Sequence, residues 1–224
     1  MMTDFAAART KMVDNQLRTT DVTDARVLSV MGQVPREVFV PSNLHPLAYI
    51  DEDIRLSAGD DPVGDRYLME PSPFAKLVQL ADIGNEDVVL DIGCGSGYSS
   101  AVLASLADSV VALEETEDLV SSVEQHLSEA DVDNVAVVQG DLKAGYPSEG
   151  PYDVIFINGA VSEVPEDLKA QLKDGGRLVA VVGYGRASQA MLYIRSGDQI
   201  SGRIAFNTAI PPLTGFEPED RFEF

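Results

Sequence analysis

The ten residues Val89-Leu90-Asp91-Ile92-Gly93-Cys94-Gly95-Ser96-Gly97-Tyr98 constrain this chain more than any other stretch. An apolar run ends beside an acid, three glycines follow at alternate positions, and a helical pattern starts at Tyr98. That order reads as a buried strand, a tight turn and a helix. Glycine at 93, 95 and 97 lets the backbone turn sharply and lets a ligand approach it closely. Dinucleotide-binding turns carry their third glycine three residues after the second, and Tyr98 holds that position here.

The rest of the C-terminal two thirds agrees with such a unit. Strands are expected over 88–92, 109–113, 135–139, 153–157 and 178–182, with helices over 98–106, 117–130 and about 163–171. Strands alternating with helices imply βαβ crossovers and a doubly wound, mainly parallel sheet covered on both faces. Apolar runs at 191–194 and 200–209, joined through Ser196-Gly197-Asp198-Gln199, signal an antiparallel hairpin at the end. The N-terminal third is helical instead. Val27, Leu28, Met31 and Val34 share a face behind Asp24 as a cap. Phe74, Leu77, Val78 and Ala81 form a second stripe, with Ser72 expected as cap and Pro73 in the first turn. The division expected is a helical extension and loop over 1–73 and a core over 74–224, together one compact unit.

Composition narrows the partners. Lys plus Arg number 16 against 37 Asp plus Glu, a formal charge of −21. Such a surface repels phosphate backbones and anionic lipid, which argues against nucleic acid and membranes. A single cysteine, Cys94, excludes an internal disulfide and a cysteine-built zinc site. A small residue fits the turn there, and neither His45 nor His126 has a recognisable partner for nucleophilic chemistry. With no long apolar run, a soluble cytoplasmic protein is expected, as a monomer or a homodimer.

Glycines spaced Gly-x-Gly-x-Gly after an acidic strand end resemble the first motif of the class I S-adenosylmethionine methyltransferases. Glu114 closes the second strand 21 residues after Gly93, where a carboxylate accepts both ribose hydroxyls. The resemblance implies that Asp141, with Leu142 beside it, meets the adenine, and that Asp91 faces the cationic methionine end, directly or through water. Gly93, Gly95 and Gly97 would line the same cofactor, with S-adenosylhomocysteine as product and no metal.

The family narrows further on Met12-Val13-Asp14-Asn15-Gln16-Leu17-Arg18, Val34-Pro35-Arg36-Glu37-Val38-Phe39-Val40-Pro41, Leu172-Lys173-Asp174-Gly175-Gly176-Arg177-Leu178 and Pro212-Leu213-Thr214-Gly215. These resemble the protein-L-isoaspartate O-methyltransferases along nearly the whole chain. The resemblance implies methylation of the α-carboxylate of isoaspartyl residues in damaged proteins or peptides. One stretch departs from the family. Where it carries Gly-Gln-Thr-Ile-Ser-Gln-Pro, this chain reads Asp65-Arg66-Tyr67-Leu68-Met69-Glu70-Pro71. Met69 thus stands in place of a serine whose hydroxyl contacts the substrate carboxylate, and a thioether donates no hydrogen bond. Arg66 or Tyr67 is the replacement contact, and Arg66 offers a fork suited to a carboxylate; the other reading makes Arg66 a surface residue neutralising its acidic neighbours. Asn158 and Gly159, ending the fourth strand, are placed near the transferring methyl or form a plain turn. The altered stretch leaves two alternatives: the same fold and cofactor with a different acceptor, or a cofactor-binding protein without transfer.

Overall fold

Strands buried on both faces need a helical crossover between parallel neighbours. The computed structural model, which describes residues 4–56 and 65–216, supplies one after each of the strands over Val88–Ile92, Ser109–Glu114 and Tyr152–Val161. The N-terminal part contains α1 (Phe5–Met12), running directly into a π-helical turn over Val13–Leu17, and α2 (Ala25–Met31). Two short strands, β1 (Ile54–Arg55) and β2 (Tyr67–Leu68), pair antiparallel ahead of α3 (Pro71–Ala81). Then follow β3 (Val88–Ile92), α4 (Tyr98–Ala104), β4 (Ser109–Glu114), α5 (Glu117–Glu129), β5 (Val135–Gln139), β6 (Tyr152–Val161), α6 (Glu166–Ala170), β7 (Leu172–Val182), β8 (Gln189–Ser196) and β9 (Gln199–Asn207).

Seven strands form one sheet in the order β5-β4-β3-β6-β7-β8-β9. The first five of these are parallel to one another, while β8 and β9 run antiparallel, as the terminal hairpin signal predicts. Strand order reverses between β3 and β6, so the carboxyl ends of β3, β4 and β6 border the crevice where ligands bind in open α/β sheets. The sheet separates two apolar clusters. One packs Met12, Leu17, Met31 and Phe39 of the N-terminal region with Phe74, Leu77, Val123 and Phe156, so residues 12–40 help complete the core of the sheet. The other gathers Leu90, Ile92, Leu113, Ile155, Leu168 and Leu213.

Of the boundaries that differ from the sequence expectation, three have a clear local reason. Helix α3 starts at Pro71, with Glu70 as its cap residue, rather than at a Ser72 cap. Proline tolerates the first turn because its missing N–H has no helical partner there. Ser72 Oγ instead donates to Thr20 Oγ1 at 2.8 Å, tying α3 to the N-terminal region. Strand β6 runs on to Val161 through an irregularity between Phe156 and Ala160, which lifts Asn158 and Gly159 out of regular pairing. Strand β7 begins at Leu172, through the Gly175-Gly176 pair that reads as loop. The loop expected over 57–73 is partly structured: residues 57–64 lie outside the described residues, and 67–68 form β2.

Candidate cofactor and acceptor site

The glycine turn is built as its spacing requires. Gly93, Gly95 and Gly97 have φ values of 71°, 62° and 92°, the left-handed region where a side chain is strained. At Gly93 a Cβ would also lie 2.6 Å from Leu213 Cδ1. The turn is anchored to the next strand end, because the Gly95 N–H donates to Glu114 Oε1 at 2.7 Å.

Beneath the turn, Asp91 is fully buried. Its Oδ2 accepts from Ser99 Oγ and Ser100 Oγ, each at 2.7 Å, and Asn158 Nδ2 donates to Ser99 Oγ at 2.6 Å. The other oxygen, Oδ1, has no partner among the described residues. Burial pushes the Asp91 carboxyl up to about 7, against the lowering effect of the two serines. A folded pKa above the ordinary carboxylate value means that the folded state holds a proton the unfolded state has lost. Stability present below about pH 4 is therefore lost progressively as pH rises through about 7. Denaturant unfolding at about pH 5 and about pH 8 is expected to show this fall, and Asp91→Asn is expected to flatten it; an unchanged profile in the variant would assign the fall to another group. The same burial, with Glu114 and Asp91 nearby, pushes the Cys94 thiol up, which keeps it protonated and poorly nucleophilic.

Glu114, wholly buried at the end of β4, is paired with Arg66. Arg66 Nε lies 3.1 Å from Oε1 and Nη2 lies 3.1 Å from Oε2, and Nη2 also reaches Glu115 Oε2 at 2.8 Å. Burial works against the guanidinium charge, and the two carboxylates more than restore it. Arg66 is only 4% exposed, which removes the reading of it as a surface neutraliser. Nη1 has no partner among the described residues.

The crevice has two ends. On the β4 and β5 side lies an open cleft of about 450 Å³ lined by Glu115, Gly140, Asp141, Leu142, Lys143, Thr214, Gly215 and Phe216. Asp141 is exposed there, its Oδ1 accepting from the Lys143 N–H at 2.8 Å, above a buried Leu142. On the β6 side lie two small cavities of about 10 Å³ each, both lined by Tyr67, Met69 and Asn158. Arg66 borders one and Cys94 with Ser99 the other. Tyr67 Oη donates to Asp65 Oδ2 at 3.2 Å, while Met69 is 5% exposed. The residues expected from sequence thus fall into two neighbouring groups, joined through Ser99 and Glu114. His45 and His126 line none of these cavities; the His126 ring packs on Phe39, with Nδ1 2.9 Å from the Ser96 carbonyl oxygen.

Sequence reasoning missed Ser99, Ser100 and Arg36. The serines lie in the first turn of a helix whose every residue is buried, and two hydroxyls there already call for a partner. Arg36 is fully buried; its Nε donates to the Ala48 carbonyl at 2.7 Å and its Nη2 to the Met69 carbonyl at 2.6 Å, and its guanidinium lies 4.9 Å from the Tyr98 ring centre.

A sheet of this order, with a glycine turn after its first long strand and an acid closing the next, defines the Rossmann-like methyltransferase class. The family model for protein-L-isoaspartate(D-aspartate) O-methyltransferase matches residues 7–217, and the chain belongs to that family. Among curated relatives, a protein-L-isoaspartate O-methyltransferase of Methanoculleus marisnigri is 41% identical over 78% of this chain and 77% of its own length. Protein-L-isoaspartate O-methyltransferase 2 of Shewanella sediminis is 37% identical over 98% of this chain and 88% of its own. A solved protein-L-isoaspartate O-methyltransferase superposes with a TM-score of 0.78 at 27% identity, covering 91% of this chain and 65% of that one. A Plasmodium falciparum structure in complex with S-adenosyl-L-homocysteine gives a TM-score of 0.75 at 21% identity, covering 92% and 97%.

Proposed function

We propose that this enzyme methylates the α-carboxylate of isoaspartyl residues in damaged peptides and proteins, using S-adenosylmethionine and releasing S-adenosylhomocysteine. The observation that carries the reading is the row of acids at successive strand ends, Asp91, Glu114 and Asp141, beside the glycine turn in a chain of this family. The unpartnered Asp91 Oδ1 fits a cationic ammonium, a carboxylate at the Glu114 position fits a ribose, and the cleft over Asp141 and Leu142 fits a base. When bound, S-adenosylmethionine supplies a methyl group activated by a sulfonium. Gly93, Gly95 and Gly97 bring main chain against that cofactor.

Arg66, Tyr67, Met69 and Asn158 make up the acceptor end. A carboxylate is ionised at neutral pH and needs no general base. The chain's work is to align one oxygen and strip it of water, and orientation supplies roughly 7–11 kcal/mol where one hydrogen bond to a charged group supplies about 1.5–3 kcal/mol. Met69 therefore slows such an enzyme without stopping it. A phenol or alcohol acceptor fits less well, because it needs a base and neither histidine lines the site. Work in the cytoplasm, on protein substrates and away from nucleic acid, suits the charge of −21 and the absence of any membrane-crossing helix among the described residues.

The test is transfer of labelled methyl from S-adenosylmethionine to matched isoaspartyl and aspartyl peptides. Transfer to the isoaspartyl peptide alone is expected, and Met69→Ser is expected to raise kcat/KM by about tenfold or more by restoring a donor. Cofactor binding without transfer to either peptide would overturn the assigned acceptor.

A further inference from the structure

A carboxylate offers about four acceptor positions, two on each oxygen. At Glu114 all four are taken: Oε1 receives the Gly95 N–H and Arg66 Nε, and Oε2 receives Arg66 Nη2 and the Glu115 N–H. Two of these donors are main chain and fixed by the turn and by β4. The other two belong to one side chain. Ribose hydroxyls need acceptor positions on this same carboxylate, so they and Arg66 compete for it.

We propose that Arg66 is a positioning residue that exchanges partners: it holds Glu114 until the ribose of the cofactor takes its place, and then presents its guanidinium to the carboxylate of the acceptor. The inference rests on the methyltransferase reading above and adds an order of binding to it. Three observations carry it. Arg66 spans the two halves of the site, since it pairs with the acid at the ribose position and also borders the cavity shared by Tyr67, Met69 and Asn158. Its Nη1 is buried and, among the described residues, a donor without an acceptor. Its second carboxylate, Glu115, is 34% exposed and lines the cofactor cleft, so the guanidinium keeps an ionic neighbour while it leaves Glu114. A freed guanidinium beside that cavity supplies the bidentate contact to a carboxylate that a serine hydroxyl cannot, and Met69 is tolerated for this reason. Acceptor binding then depends on cofactor binding, because the Nε/Nη2 edge that pairs with Glu114 cannot clamp the acceptor's carboxylate until the ribose has displaced it.

Calorimetric titration with S-adenosylhomocysteine separates the possibilities. Arg66→Gln is expected to bind it at least about tenfold more tightly than the unaltered enzyme, since a competitor for Glu114 is lost. Glu115→Gln, which loosens Arg66 without touching Glu114, is expected to tighten binding by a smaller factor and serves if Arg66→Gln folds poorly. In the unaltered enzyme an isoaspartyl peptide is expected to bind only after S-adenosylhomocysteine has been added. In Arg66→Gln that second binding weakens about tenfold or more, and Arg66→Lys restores part of it. Equal or weaker S-adenosylhomocysteine binding in both variants would overturn the exchange and leave the methyltransferase reading intact. Peptide binding independent of S-adenosylhomocysteine would overturn the order of binding and with it the exchange. Failure of the unaltered enzyme to bind S-adenosylhomocysteine at all would overturn both.

Discussion

Replacing Glu114 by Ala is expected to abolish S-adenosylhomocysteine binding and to destabilise the fold by about 3–5 kcal/mol. Two separate losses combine. The ribose loses an acceptor carboxylate, and hydrogen bonds to a charged group at about 1.5–3 kcal/mol each amount to more than 100-fold in affinity for a pair of hydroxyls. The fold loses the partner of a guanidinium that is only 4% exposed, leaving Arg66 with Glu115 alone, and the Gly95 and Glu115 N–H groups lose their acceptor as well. Denaturant unfolding reads the second loss and calorimetry on the folded fraction reads the first. An affinity within a few-fold of the unaltered enzyme would remove Glu114 from the ribose site.

The second large effect is expected at Arg36. It is buried, makes no ion pair among the described residues, and donates instead to the carbonyls of Ala48 and Met69. Arg36→Ala strands both carbonyls, opens a cavity under the Tyr98 ring and is expected to cost about 3–5 kcal/mol of stability. Arg36→Met refills most of the space and no longer buries a charge, so it should cost less than half as much. Because the Met69 carbonyl is one of the two acceptors, both variants should also raise KM for the peptide more than they lower kcat. Destabilisation below about 1 kcal/mol in Arg36→Ala would show that the two carbonyls find other donors.

Much of the fold and part of the site could be read from residues that are close in sequence. The β3 run, its glycine turn and the acid at the end of β4 follow from local pattern, and so does the antiparallel hairpin. What escaped was set by long-range contacts. The pairing of Arg66 with Glu114 joins residues 48 apart and has no periodic signature, so the arginine read either as an acceptor ligand or as surface. Asn158 read equally as a turn or a site residue, and only its bond to Ser99, 59 residues away, ties it to Asp91. The start of α3 was misplaced because Pro71 and Pro73 both suit a first turn, and the Ser72 contact with Thr20 lies outside any local pattern. Strand β7 runs through two glycines that propensity alone assigns to a loop.

The short β1–β2 ladder divides the molecule by how freely it can change. At the proposed cofactor end, the Gly95 and Glu115 N–H groups fix Glu114, and main-chain donors survive most substitutions. At the proposed acceptor end, the segment bearing Arg66, Tyr67 and Met69 depends more on side chains: beside the two-residue pairing of β1 with β2, Arg66 pairs with Glu114 and Glu115, the Met69 carbonyl accepts from Arg36, and the Glu70 N–H donates to Asp53. Support of that kind depends on which side chains are present, so a substitution in this segment or among its partners alters the proposed acceptor end directly. Drift in sequence is therefore expected to reach acceptor recognition before it reaches the glycine turn, and Met69, the departure from the family pattern, lies in that segment.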